Sequence, residues 1–195
     1  MSLAGWVRAR FARPPEAVRA VLAASTDADE RVLAWGELVA GGWLVATSRG
    51  IRVVPADRVP ADPGPGATGG VLPWHEVATA RWAAAGAGGT FTVTPLAEVE
   101  PGVQRRLPAQ RHVLREAGEL PAALRSRVDR TVATSQRHPL PGGGGVLLVA
   151  RRVPGQAARE WSVVFDDDAD RDDPAARAVA RERLAAAVAG DGPGR

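Results

Sequence analysis

Apolar and polar positions alternate most clearly in the first half of the chain. Residues 31–39 (RVLAWGELV) and 43–48 (WLVATS) are rich in Val, Leu and Trp and flank Gly41-Gly42. Glycine accepts the positive φ of a tight hairpin turn. Arg49-Gly50 then leads into 51–54 (IRVV), which Pro55 stops. The pattern predicts a three-stranded antiparallel meander. A further strand is expected over 71–83 (VLPWHEVATARWA), where Trp74, Val77, Ala80 and Trp82 fit a bulge or one helical turn inside it. A short strand is expected at 90–94 (TFTVT), an irregular polar connection over 95–108, and another strand at 109–116.

Helical spacing marks four segments. Leu3, Val7 and Phe11 recur every fourth residue, with Trp6 beside them. Pro14-Pro15 ends that helix and opens a second, whose stripe is Val18, Val21 and Leu22. Gly118 to about Ala133 carries Leu120, Leu124 and Val128, with Pro121 near its start, where a missing N–H costs little. Pro174 opens a last helix to about Ala189, anchored by Val179, Leu184 and Val188. Before it, 146–153 and 159–165 form a hairpin around Pro154-Gly155, and 134–145 reads as a loop with at most a short strand. Residues 55–70, with four prolines and four glycines, read as a mobile surface loop.

The order is therefore an N-terminal helical segment, about six strands, a helix, two strands and a helix. Consecutive strands argue against a parallel doubly wound sheet. The expected fold is α+β: a bent antiparallel sheet or barrel with a capping helix, plus a C-terminal β-hairpin and helix. Its expected divisions are an N-terminal helical segment (1–30), an antiparallel β domain with capping helix (31–133), a hairpin and helix packed on it (134–190), and a disordered tail (191–195).

Two stretches carry a resemblance. Leu44-Val45-Ala46-Thr47-Ser48-Arg49-Gly50, and then Leu72-Pro73-Trp74 with Val77, resemble the meander of bacterial pleckstrin-homology-like proteins. The chain is also similar to uncharacterised actinobacterial proteins that carry such a domain. The resemblance covers about residues 31–133, and residues 119–133 would supply the capping helix. It implies a binding or scaffold module more than an enzyme, and a fold alone does not set a function.

Composition narrows the chemistry. The 195 residues contain no cysteine, which removes disulfides, thiolate metal sites and cysteine nucleophiles together. That absence fits a cytoplasmic protein. Arg8, Arg10 and Arg13 break the N-terminus before a signal-peptide core can form, and no apolar run approaches membrane-span length. Trp6 and Phe11 among these arginines would also suit an anionic membrane surface, against the plainer reading of a packed or frayed terminal helix. All 25 basic residues are arginine, as a GC-rich coding sequence favours. The high isoelectric point follows from arginine alone and does not point to nucleic acid.

Charge is nevertheless uneven. Residues 101–152 hold ten arginines against Glu116, Glu119 and Asp129, while residues 159–195 hold six against nine acids. An anionic partner is therefore expected at the middle of the chain, with Arg125, Arg127 and Arg130 of the expected helix as the anion-binding candidates. A scattered, solvated basic surface is the plainer alternative.

Other motifs fail their tests. His75, His112 and His138 have no metal-ligand spacing. The run from Asp166 to Asp173 lacks the glycine and terminal glutamate of a calcium loop in either frame. It fits acids ahead of a helix, with Asp173 as N-cap. Gly142–Gly145 has no lysine for a phosphate loop, and the six serines have no placed His and Asp partners. Trp35, Trp43, Trp74, Trp82 and Trp161 fall on expected strands, at least three of them as core residues. The expectation is a non-enzymatic protein with no cofactor and no metal, with an enzyme of unrecognised site ranked lowest because nucleophile, metal and cofactor motifs are all missing. A protein partner or self-association ranks first, an anionic phospholipid headgroup next and nucleic acid last.

Overall fold

The computed structural model describes residues 13–56 and 70–191. Their elements divide between two compact units. The N-terminal unit runs to Thr94 and takes in Ala109–Val128; the C-terminal unit comprises Pro95–Pro108 and the chain from Asp129 onward. The fold is α+β with a bent antiparallel sheet. The expected helix at 3–11, the tail at 192–195 and nearly all of the expected loop at 55–70 lie outside the described residues.

In the N-terminal unit, α1 (Glu16–Ala23) precedes β1 (Val32–Glu37), β2 (Trp43–Thr47), β3 (Gly50–Val54) and β4 (Val71–Pro73), a four-stranded antiparallel sheet in sequence order. Gly41 and Gly42 turn β1 into β2 at φ 95° and 84°, and a Cβ on Gly42 would stand 2.2 Å from the Val54 carbonyl oxygen. Only glycine fits there.

β2 is buried on both faces, and the period of two sorts its side chains. Leu44 and Ala46 face one core with Ile51, Trp74, Val77, Phe91, Val93, Leu114, Leu120 and Leu124. Val45 faces the other way and joins Val54 and Val18 of α1. The predicted stripe Val18, Val21 and Leu22 is the face of α1 that packs there.

The expected strand over 71–83 is two strands separated by a 3-10 turn, Trp74–Glu76. β4 ends the first sheet, and β5 (Val77–Ala85) pairs with β6 (Gly88–Glu100). The first half of β6 also pairs with β8 (Gln110–Leu114). β8 meets the end of β1, where Val39 N–H donates to Val113 O at 2.8 Å and Arg115 N–H to Glu37 O at 2.9 Å. Those bonds curl the strands around the first core, against which α2 (Leu120–Thr131) packs Leu120 and Leu124.

Of the five tryptophans among the described residues, only Trp74 is fully buried, and it sits on the 3-10 turn rather than on a strand. Its indole N–H donates to Thr47 O at 3.0 Å. Trp35, Trp43, Trp82 and Trp161 are half-buried at core margins.

The C-terminal unit corrects two expectations. Residues 95–108 are mostly strand: β6 runs to Glu100, and β7 (Val103–Arg106) folds back on it. β7 then pairs in parallel with β11 (Arg159–Phe165), nearly sixty residues later. Pro95 sits where β6 changes partner, after Val93 has paired with Gln110 and before Leu96 pairs with Arg106, so its missing N–H falls between ladders. Residues 132–139 are likewise a strand, β9 (Val132–Pro139), paired with β10 (Gly145–Arg152) through a turn at Gly142–Gly144. β9 hides from a pattern search because it is an edge strand with Thr134–Arg137 all exposed. The order of described elements is thus helix, eight strands, helix, three strands, helix.

β10 and β11 form the predicted hairpin. α3 (Pro174–Gly190) lays Ala176 and Ala180 on Val103, Val146, Leu148 and Val163. Asp173 caps α3 as predicted, accepting from the Ala175 and Ala176 N–H groups at 3.0 and 3.3 Å. Asp191, after the last turn, accepts the Trp161 indole N–H at 2.8 Å.

Candidate functional site

Two clusters of arginine and carboxylate stand out, one in each unit. In the N-terminal unit, the odd-even alternation that turns Val45 and Val54 toward α1 also turns Thr47 and Arg52 to that side. There the connector between α1 and β1 supplies Ser25 and Glu30. Arg52 grips Glu30 through Nε at 2.9 Å and Nη2 at 2.6 Å. Thr47 and Ser25 hydroxyls each donate to the same carboxylate at 2.7 Å. Burial alone would raise the Glu30 pKa, but the hydrogen bonds from Arg52, Ser25 and Thr47 outweigh it and hold the pKa at about 2, against the usual 4.5. Thr47 also accepts the Arg49 and Gly50 N–H groups at 3.1 Å each, which shapes the Thr47-Ser48-Arg49-Gly50 turn. Side-chain exposure is 1% at Glu30 and 10% at Arg52. A sealed, saturated pair of this kind ties the connector to the sheet and leaves no room for a ligand.

The second cluster is open. In the C-terminal unit the β6–β7 hairpin, the segment after β11 and the first turns of α3 enclose a cavity of about 270 Å³. Val103, Phe165 and Ala180 are among its apolar lining. Arg105, Arg106, Arg171, Arg177 and Arg181 line it with Glu100, Asp166, Asp167 and Asp172. Gly102 turns the hairpin at φ 71°, and a Cβ there would come within 2.5 Å of Leu184, so this turn too requires glycine. Glu98 fixes the turn by accepting the Gly102 N–H at 2.7 Å.

The turn aims Glu100 at α3. Arg177 and Arg181, one helical turn apart, share a face, and both bind that carboxylate: Arg177 Nη2 at Oε1, and Arg181 Nη2 at Oε2 at 2.7 Å. Arg106 reaches Asp167 Oδ1 at 3.1 Å and the Phe165 carbonyl at 3.2 Å. Asp166 takes Arg137 at 2.7 Å. Among the described residues, Arg105 and Arg171 make no ion pair and are exposed.

The aspartates after β11 are used singly. Asp166 and Asp167 pair with arginines, Asp170 accepts the Asp172 N–H at 2.9 Å, and Asp173 caps α3. No group of three or more metal-ligating side chains is assembled among the described residues. His112 is half-buried, and burial lowers its pKa. No helix among the described residues is long and apolar enough to cross a membrane.

The three arginines singled out by sequence lie elsewhere. Arg125 and Arg127 sit two residues apart on α2, so about 160° of helix separates them. Arg130 lies beyond Val128, in the C-terminal unit, and its carbonyl accepts from Arg152 Nη1 at 3.0 Å. Of the basic middle, only Arg105 and Arg106 reach the cavity. Arg171, Arg177, Arg181 and Glu100 were not marked by the pattern, because three of them lie in the segment whose net charge is negative. The readable signal was Arg177 and Arg181 four residues apart on a helix. No protein-family model, curated protein or solved structure matches this chain.

Proposed function

We propose that this protein is a non-catalytic binding module that takes an anionic ligand in the arginine-lined cavity of its C-terminal unit. The observation that carries this reading is the convergence of five guanidiniums on one cavity, with Arg105 and Arg171 unpaired at it. Guanidinium forks match the oxygens of phosphate and carboxylate groups, and a recess with an apolar floor strengthens such contacts relative to open water. A cavity of this size is small among ligand sites, so a compact anion fits better than a polymer.

The pleckstrin-homology-like reading of the N-terminal unit has support of its own. Four antiparallel strands are followed there by three more, β5, β6 and β8, and then by a helix whose leucines enter the core. That reading makes the N-terminal unit the scaffold and puts the ligand in the unit appended to it.

Titration of the full chain with inorganic pyrophosphate and with citrate at low salt tests the proposal. Saturable binding is expected that weakens as salt rises. It should fall at least tenfold in Arg105→Ala/Arg171→Ala and stay unchanged when Arg125, Arg127 and Arg130 are reversed in charge. A chain that binds neither anion overturns the reading.

A second reading, self-association, is favoured by one observation: β9 lies at the end of its sheet with four consecutive exposed residues. An open edge is a template for another strand. A mass that rises with protein concentration, without anion binding, would select this alternative.

A further inference from the structure

This inference rests on the cavity being an anion site, and concerns what occupies its centre. Glu100 is the one lining carboxylate held by two guanidiniums, Arg177 and Arg181. Two arginines one helical turn apart, each on one oxygen of a single anion, are arranged as they would be to hold the oxyanion of a ligand. The cluster is reachable from solvent: side-chain exposure is 32% at Glu100, 37% at Arg177 and 58% at Arg181. Nothing else binds the Glu100 carboxylate among the bonds described, whereas Glu30 is locked by two hydroxyls besides its arginine.

We infer that Glu100 is an intramolecular competitor occupying the phosphate subsite of this cavity, and that the ligand's compact phosphate group replaces it on Arg177 and Arg181. A carboxylate ligand would exchange one single charge for another at the fork and gain little. A phosphate dianion brings a second charge and a third oxygen, and Arg105 and Arg171 are the unpaired cations left in the lining to balance it. Removing the Glu100 charge therefore frees the fork for phosphate, with a smaller benefit to a carboxylate.

The experiment compares wild type with Glu100→Gln in the full chain, titrated calorimetrically with inorganic pyrophosphate and with citrate. Glu100→Gln is expected to bind pyrophosphate about tenfold more tightly, the equivalent of about 1.4 kcal/mol, with a smaller gain for citrate. Glu100→Asp, which keeps the charge but withdraws it from the fork, should give an intermediate gain. Arg177→Ala/Arg181→Ala in the Glu100→Gln background should erase it. A wild type that binds, with no gain in Glu100→Gln, overturns the competitor role and leaves the anion site standing. Equal gains for both anions overturn the preference for phosphate. A wild type that binds neither anion overturns the cavity reading itself, whatever the variant does. Cosedimentation with phosphatidylcholine vesicles, with and without phosphatidic acid, separates the sources of phosphate. Sedimentation that needs phosphatidic acid and increases in Glu100→Gln assigns the subsite to a lipid headgroup, and pyrophosphate binding without sedimentation assigns it to a soluble phosphate.

Discussion

The Glu30–Arg52 cluster and the Glu100–Arg177–Arg181 cluster use the same chemistry to opposite ends. Both fix a carboxylate with guanidinium hydrogen bonds. Around Glu30 every oxygen is also met by a hydroxyl, and the pair is shut from solvent. Around Glu100 the only side-chain partners among the described residues are two arginines that remain part-exposed beside a cavity. Desolvation decides the difference. A buried ion pair resists loss of either partner because the remaining charge cannot be rehydrated, whereas an open one exchanges its partners with solvent ions at little cost.

The largest expected effect follows directly. Glu30→Ala strands the Arg52 guanidinium in the interior and should destabilise the protein by about 3–5 kcal/mol in urea unfolding. Glu100→Ala should cost no more than about 1 kcal/mol. The paired replacement Glu30→Leu/Arg52→Met should recover most of the loss, since it leaves no orphaned charge. Equal losses at Glu30 and Glu100 would break the contrast.

Acid should find the sealed cluster. The folded pKa of Glu30 lies near 2, below its usual 4.5, so the folded state holds this proton less tightly than the unfolded chain. The stabilisation is then fully present above about pH 4.5 and is lost as pH falls toward 2. Over that window the group accounts for about 3 kcal/mol. Urea midpoints measured across it should drop steeply in wild type and less steeply in Glu30→Gln.

A smaller effect sharpens the open side. Asp173→Ala removes the cap that starts α3 just ahead of Arg177 and should cost about 1 kcal/mol. Pyrophosphate affinity should fall with it, because the fork is carried on those first turns. Unchanged affinity with reduced stability would mean that α3 is positioned by Ala176 and Ala180 alone.

Much of the fold was legible where one residue's neighbours in sequence decide its conformation. The alternation in WLVATS, the paired glycines after β1, the stripe Val18–Val21–Leu22 and Asp173-Pro174 at the start of α3 each led to the element found. The 3-10 turn at Trp74 was half legible, as a break in alternation that concealed a change of sheet. β7 was not legible, and β9 only as the short strand allowed within 134–145. β7 has four residues and owes its conformation to β6 and to β11, and β9 is a polar edge defined by β10.

The candidate site was hidden for the same reason. Counting charge along the chain favoured residues 101–152, but the cavity joins Arg105 and Arg106 of that stretch to three arginines of an acidic one. The amino-acid order by itself determined the turns, caps and apolar faces, because these rest on sterics and hydrogen bonds within a few residues. Which strands pair, and which arginines lose their carboxylates to a neighbour, was decided only in the folded chain. Beyond the adjacent pairings of the meander and the β10–β11 hairpin, those choices depend on contacts between residues far apart in sequence, and no local pattern encodes them.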